Sequence, residues 1–517
     1  MYIHRFLDFL ATDLPDALMA ADDYGQIDYA GAGRAVDLLA DMLRQSGLHP
    51  GDRFAVLSEN RFEVILLVFA ASRTGTVATI LQPVMPSAEL ATIVRDSQAR
   101  ILWHSDSLKD VAHSVASDVG LPTPLPFPER DQLNTATAQP VDETPSDVVV
   151  QLYTSGTTGR PKGVVMGHQT FSTSPLLYSQ VLIKKPGPGT VQLVATPLSH
   201  IGGLGSAMWP CLTGSAAVLR QKFDPLGFLN DLVDWKIDGL FVVPTMLQML
   251  IEAHENFDRA DQIDVSQIAY GAAPMSVDLL DRATRTFGCG FLQLYGLSES
   301  SIVTALTPED HRKAASGQAH ILRSVGRSLP TTRIAIRDRD GNTLAPGEVG
   351  EIVAEAPSAM LEYWRLPDET SEVMRDGWVH TGDIGVIDKD GYVYLRDRKK
   401  DVVISGGKNI YPAEIENALH AHPKIDEIAV VGVPDEKFGE VPLAAIVLKH
   451  GETLNLEEVD AFCRPRLAGY KIPRLIRLMP ELPHNATGKV LKPRLRELLG
   501  AAQTFPNDNK EDQHDKS

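Results

Sequence analysis

The chain reads as an α/β protein built of several units, and three observations say so. Between residues 190 and 305, short apolar strands at 192–195, 239–243, 267–270 and 290–295 alternate with helical segments. Strict strand–helix alternation is the pattern of parallel-sheet folds. Near residue 326 the character changes to β-rich stretches at 333–337, 350–354 and 385–395, separated by Asp-Gly and Pro-Gly turns with little helix between. The length, 517 residues, exceeds what one hydrophobic core fills, so roughly two to four domains or subdomains are expected.

In chain order, residues 36–45 and 62–71 read as helices around a short strand at 53–58, with Gly47 in the position of a helix stop. Residues 100–104 form another strand. The stretch 122–145 holds six prolines and is expected to be a surface connector. Residues 148–152, Val-Val-Val-Gln-Leu, are a strand by their β-branched content. After the β-rich part comes a charged knot, Arg396-Asp397-Arg398-Lys399-Lys400-Asp401, then a glycine turn and a helix opened by Pro412 and Glu414. The knot is the expected joint: a large domain over 1–397, a hinge at 398–400, a compact α+β domain over 401–500 and a disordered tail over 501–517. The tail is polar throughout.

Composition narrows the function. Hydrophobic residues make up 43% and charged residues 22%, as in ordinary globular enzymes. A formal net charge of −18 disfavours nucleic acid or an anionic membrane as partner, while leaving room for a local cluster of cations. The three cysteines, Cys211, Cys289 and Cys463, have no paired spacing, which argues against a disulfide framework or a zinc site and fits a reducing cytoplasm. The N-terminus has no basic region ahead of its apolar residues, so no secretory signal is read there, and no run approaches the ~18 apolar residues of a membrane span.

The most informative stretch is residues 153–163, Tyr-Thr-Ser-Gly-Thr-Thr-Gly-Arg-Pro-Lys-Gly. A strand running into a Gly/Ser/Thr loop presents N–H groups and hydroxyls to a phosphate chain, and Lys162 adds a point charge. Pro161 stands where a Walker A loop needs its second glycine, so that motif is excluded. At the end of the 290–295 strand lies Tyr295-Gly296-Leu297-Ser298-Glu299-Ser300, where a hydroxyl beside a carboxylate suits a Mg²⁺-nucleotide. Asp383, after the glycine turn in Trp378-Val379-His380-Thr381-Gly382-Asp383, can accept both hydroxyls of a ribose. In Asn485-Ala486-Thr487-Gly488-Lys489 a glycine turn aims one lysine outward. Taken singly, each of these last segments is an ordinary turn.

Taken together and in this order, from residue 153 to 489, the segments resemble the motifs of the adenylate-forming superfamily: acyl-CoA synthetases, nonribosomal peptide adenylation domains and beetle luciferases. The resemblance implies a large N-terminal domain of two α/β subdomains plus a small distorted β-barrel, with a small mobile α+β C-terminal domain. It implies ATP, Mg²⁺ and coenzyme A as cofactors, and a site carried residue by residue. Thr154, Ser155, Gly156, Thr157, Thr158, Gly159 and Lys162 would cradle phosphate. Gly271, Ala272, Ala273, Pro274, Tyr295 and Gly296 would hold adenine, with Ser298 standing where the family has threonine. Glu299, with Thr154, would bind the metal. Asp383 and Arg398 would hold the ribose, Lys400 the hinge, and Ser405, Gly406 and Gly407 the pantetheine path.

Lys489 would bridge carboxylate and α-phosphate. His200, Gly203, Gly271 and Gly296 would line the acyl pocket, and Lys489, Lys162, Glu299 and His200 would be the catalytic set. No acid lies between Thr196 and Leu212, where amino-acid-activating relatives place an aspartate, so a simple carboxylic acid is favoured. Short-chain relatives close the pocket with tryptophan where this chain has Gly296. Together with Ala272 and Ala273, that glycine implies a medium- or long-chain, cyclic or aromatic acid. The expected reaction is ATP-dependent acyl-adenylate formation followed by CoA ester formation. The alternatives are transfer to a carrier-protein thiol or a catalytically silent binding protein, and a homodimer is left open.

Overall fold

A computed structural model of the chain describes residues 1–134, 146–154, 161–273, 275–484 and 490–501. The chain divides into two compact units: Met1–Thr381 with Val386–Tyr394, and Gly382–Gly385 with Leu395 onward. The change of unit thus falls earlier than the charged knot. Arg398 pairs with Asp383 and the Lys399 N–H bonds the Gly382 carbonyl, and these contacts draw residues 382–385 into the smaller unit.

The larger unit holds two open sheets. The first has seven strands in the order Glu362–Tyr363, Lys162–Gly167, Val148–Thr154, Val77–Leu81, Arg53–Leu57, Ala99–His104, Leu125–Pro126. The second has nine, in the order Arg327–Ser328, Ser301–Leu306, Gly290–Leu297, Gln267–Gly271, Gly239–Val242, Val191–Val194, Ala216–Leu219, Leu18–Asp22, Gly25–Asp28. The centre of each sheet is parallel, and its strands are buried almost throughout, as helices on both faces require. The helix Phe62–Thr74 is buried along its whole length, which explains an apolar content too high for a one-faced surface helix. It ends at Gly75 in the left-handed region, the usual glycine stop.

Two expectations are corrected here. The stretch 385–395 is not one strand. Trp378–Ile387 and Val393–Arg398 are separate strands, and a turn at Asp390-Gly391 lies between them, with Gly391 at φ 84°. The proline-rich connector is also more than a surface loop. Its short helix Arg130–Asn134 sends Arg130 into the core, where the guanidinium donates to Asp22 Oδ2 at 2.6 Å and to both Glu63 oxygens at 3.1 Å. The Asp22 and Glu63 carboxylates are shut off from solvent, and Arg61 supplies the second cation at 2.7 Å from Glu63. Two buried acids face two arginines, so the network is balanced.

Within the smaller unit, Ile425–Asp435 and Gly439–Leu448 form a long antiparallel pair, flanked by the Val403–Ser405/Lys408–Ile410 hairpin and by Leu475–Leu478. Helix Pro412–His420 packs on this sheet through Ile415 and Leu419.

Candidate active site

The phosphate-loop stretch begins and ends in two paired strands. Strands Val148–Thr154 and Lys162–Gly167 pair antiparallel, with Thr154 opposite Lys162 and Tyr153 opposite Gly163. Ser155, Gly156, Thr157, Thr158 and Gly159 lie outside the described residues. Lys162 is ion-paired with Glu369, and its ammonium stands 5.1 Å from the Tyr363 ring centroid. Gly163 is required by what passes over it. A Cβ there would come within 3.2 Å of Trp364 Cβ and 3.1 Å of Tyr153 Cζ.

Glu299 sits in the turn between Gly290–Leu297 and Ser301–Leu306, where the Ser300 hydroxyl accepts from the Leu297 N–H at 3.1 Å. A strap formed by residues 356–366 joins this turn to the hairpin. The Met360 N–H donates to the Glu299 carbonyl at 2.8 Å, Glu362–Tyr363 adds a short strand to Lys162–Gly167, and the Trp364 N–H donates to the Gly163 carbonyl at 2.7 Å. The Tyr363 hydroxyl donates to Glu299 Oε1 at 2.6 Å. Burial, and then the Glu299 charge, push the Tyr363 pKa upward, so the phenol stays a proton donor. The strap therefore brings Lys162 and Glu299, distant in sequence, to one tyrosine.

The Glu299 donor set suits a hard cation. Magnesium prefers oxygen ligands and keeps several waters and substrate phosphates, so one carboxylate with a fixed rotamer is enough from the protein. Tyr363 supplies that fixing. No group of three or more His, Cys, Asp or Glu side chains that could hold a metal ion occurs among the described residues.

Of the residues expected on the acyl side, His200 lies beyond strand Val191–Val194 and Gly271 ends strand Gln267–Gly271. His200 precedes helix Ile201–Cys211, and its Nε2 is buried without a partner among the described residues. Burial lowers its pKa, so the ring is neutral near pH 7. Ala272 holds φ 64°, turning the chain sharply after Gly271, and Pro274 lies outside the described residues. The glycines of this region lie against backbone. A Cβ at Gly296 would overlap the Ser301 carbonyl, one at Gly271 the Leu294 carbonyl, and one at Gly203 the Pro197 and Thr196 carbonyls. These glycines answer close backbone approach, so the absence of a side chain at 296 is no measure of acyl room.

Phe241 packs between these glycines. Its ring edge lies 3.6 Å from a Cβ built at Gly202 and 3.5 Å from one at Gly271, within a cluster that includes Trp209, Leu294 and Ile302. Sequence reading missed Phe241, Trp209, Tyr363 and Glu369. The only trace of the last two was an aromatic pair, Tyr363-Trp364, followed by the helix-opening Pro367.

In the smaller unit Asp383 is 5% exposed, follows Gly382 at φ 69°, and pairs with Arg398 Nε at 2.5 Å. Asp397 accepts from the Arg398 and Ala413 N–H groups, each at 2.7 Å, which fixes the start of helix Pro412–His420. Lys400 is exposed, beside an Asp401 held by Arg496 at 2.6 Å. Ser405 is buried. Gly406 and Gly407, at φ 54° and 76°, form the hairpin tip, and a Cβ on Gly407 would meet nothing within 4 Å. Residues 485–489, with Lys489, lie outside the described residues.

The chain belongs to the AMP-binding enzyme family. The family model matches residues 9–364, and the model of its C-terminal domain matches 414–489. The chain is 35% identical to the fatty acid–[acyl-carrier-protein] ligase ScoC of Streptomyces coeruleorubidus, over 91% of each chain. It is 35% identical to a feruloyl-CoA synthase of an Amycolatopsis species, over 92% of this chain and 94% of that one. Among solved structures, o-succinylbenzoate CoA synthetase from Bacillus subtilis, in complex with its acyl-adenylate intermediate, superposes with a TM-score of 0.83 at 29% identity, over 95% of this chain and 97% of that one. No helix among the described residues is long and apolar enough to cross a membrane.

Proposed function

We propose that the protein is an AMP-forming acid–thiol ligase: it activates a carboxylic acid with ATP and passes the acyl group to coenzyme A. The observation that carries this reading is the family match across both units, joined to relatives that act on a fatty acid, on ferulate and on succinylbenzoate. Those three acids are a fatty acid and two aromatic acids, and a medium- or long-chain, cyclic or aromatic acid is the substrate class proposed here.

A carboxylate has no leaving group, and AMP provides one. The acid oxygen attacks the α-phosphate, pyrophosphate departs, and the carbon of the acyl-adenylate becomes attackable by a thiol. Two anions must meet first, so the protein's work is charge neutralisation and alignment. Lys162 supplies a cation at the hairpin, with Thr154 through Gly159 around the phosphates. Glu299, with Thr154, would hold Mg²⁺, which supplies further neutralisation when bound. Tyr295, Ser298 and residues 271–274 take the adenine side. Asp383 accepts the ribose hydroxyls while Arg398 orients it. His200, neutral and unpaired, faces the acid without adding charge, and Phe241 forms an apolar wall. Lys489 bridges the carboxylate and α-phosphate in the first step. The smaller unit then turns about Lys400, and Ser405, Gly406 and Gly407 present a path for pantetheine.

ScoC favours a second reading, in which a carrier-protein thiol takes the acyl group. One experiment separates the two. Pyrophosphate release is followed over a panel of acids, with CoA ester measured in parallel. Release with stoichiometric CoA ester supports the ligase reading. Release that stalls with CoA and resumes with a phosphopantetheinylated carrier supports the second.

A further inference from the structure

Lys162 has a partner already. Glu369 stands at the first turn of the short helix Pro367–Val373 and forms an ion pair with the Lys162 ammonium. The lysine side chain is 19% exposed and the glutamate 36%, so the pair is shielded more than a surface bridge yet open enough to exchange. The helix that carries Glu369 follows directly on the strap that carries Tyr363. The Tyr363 N–H donates to the Thr370 hydroxyl at 3.0 Å, and that hydroxyl donates to the Leu366 carbonyl at 2.7 Å. Trp364 anchors the strap to helix Ser87–Ser97, its Nε1–H donating to the Asp96 carbonyl at 3.0 Å. One rigid piece of chain therefore grips both charges of the site, Glu299 through the phenol and Lys162 through a carboxylate.

Resting on the adenylating reading above, we propose that Glu369 is an internal competitor for Lys162. It holds the ammonium in the nucleotide-free protein, yields it to a phosphate of ATP, and takes it back as pyrophosphate leaves. A lysine has one charge to give, and a carboxylate within ion-pair distance must be displaced before a polyphosphate gains the full interaction. The consequence is selective. Pyrophosphate and ATP bind against this competition, whereas AMP, which lacks the β- and γ-phosphates, meets less of it. The protein gives up polyphosphate affinity and gains rapid release of the first product.

The test is calorimetric titration of the whole protein with pyrophosphate and, separately, AMP, both with Mg²⁺ and with no acid present. Glu369→Gln keeps the side chain's shape and removes its charge. It is expected to tighten pyrophosphate about tenfold while leaving the AMP Kd within about twofold. Glu369→Ala serves as a second variant and should move pyrophosphate in the same direction; thermal melts confirm that both fold. In a Lys162→Met background, Glu369→Gln should change nothing, because there is no ammonium to compete for. Equal tightening in that background would show a general charge effect and overturn the proposal, as would an unchanged pyrophosphate Kd in the single variants. If the unmodified protein binds neither pyrophosphate nor AMP, the adenylating reading fails along with it. If it binds both and the variants match it, this proposal alone fails.

Discussion

A methyl group at position 296 separates two explanations of one glycine. An ideal Cβ there would lie 2.7 Å from the Ser301 carbonyl carbon and 2.8 Å from Ile302 Cα, and would overlap the Ser301 oxygen. All are backbone atoms of the neighbouring strand, at a point where the strand register already shifts between Tyr295 and Gly296. No rotamer relieves such a clash, so Gly296→Ala must move one strand against the other. Overpacking of this kind costs about 1–3 kcal/mol. The larger unit has about 390 residues, and at roughly 2.1 cal/mol/K per residue its unfolding entropy turns that cost into a Tm lowered by about 1–4 °C.

The displaced strand leads directly into Glu299, so catalysis should suffer for every acid alike. The assay is a melt combined with kcat/KM over acids from propionate to a long-chain or ring-bearing acid. A uniform fall with reduced Tm is expected, and Gly296→Trp should lose small and large acids together. Unchanged Tm with selective loss of the large acids would refute the backbone argument and restore Gly296 as a wall of the acyl pocket.

Arg130→Met should destabilise the larger unit by about 3–5 kcal/mol in urea denaturation, since it leaves the buried Asp22 and Glu63 carboxylates with one arginine between them. His168 donates from Nε2 to the Ser146 carbonyl at 3.0 Å and accepts the Ile3 N–H at Nδ1, and burial lowers its pKa to about 4. The unfolded chain therefore takes up a proton first as pH falls. Stability is complete above the usual ~6.5 and is lost as pH drops toward 4, by on the order of 3 kcal/mol. Denaturation midpoints at pH 7 and 4.5 should converge in His168→Gln, and a slope equal to that of the unmodified protein would remove His168 as the cause. Lys489→Ala should cripple acyl-adenylate formation yet spare thioester formation from a supplied acyl-adenylate; equal loss of both half-reactions would show the lysine misplaced.

The parts of the fold legible in the sequence were those written in periodicity and punctuation. The strands at 192–195, 239–243, 267–270 and 290–295 stand out because short apolar runs alternate with helical spacing, and the helix after Pro412 because proline opens it. What stayed hidden was long-range. Nothing local in Arg130 says that it neutralises Asp22 and Glu63, and a proline-rich connector gives the opposite impression. Candidate residues such as Lys162, Glu299 and Asp383 were visible because turn glycines and hydroxyls surround them. Tyr363 and Glu369 were not, since a strap acts through where it lies and not through its composition. Gly296 meets the same limit. A glycine tells of missing volume, but only the neighbouring strand tells on whose behalf the volume is missing.

The central claim is that the acid's own oxygen attacks the α-phosphate of ATP. Turnover of a carboxylic acid labelled with ¹⁸O in its carboxyl group, with ATP, Mg²⁺ and CoA, followed by mass spectrometry of the nucleotide and pyrophosphate, tests it directly. The account predicts one label in the phosphate of AMP for each CoA ester formed, and none in pyrophosphate. Label in inorganic phosphate with ADP as the nucleotide product, or unlabelled AMP beside a fully formed thioester, would contradict it.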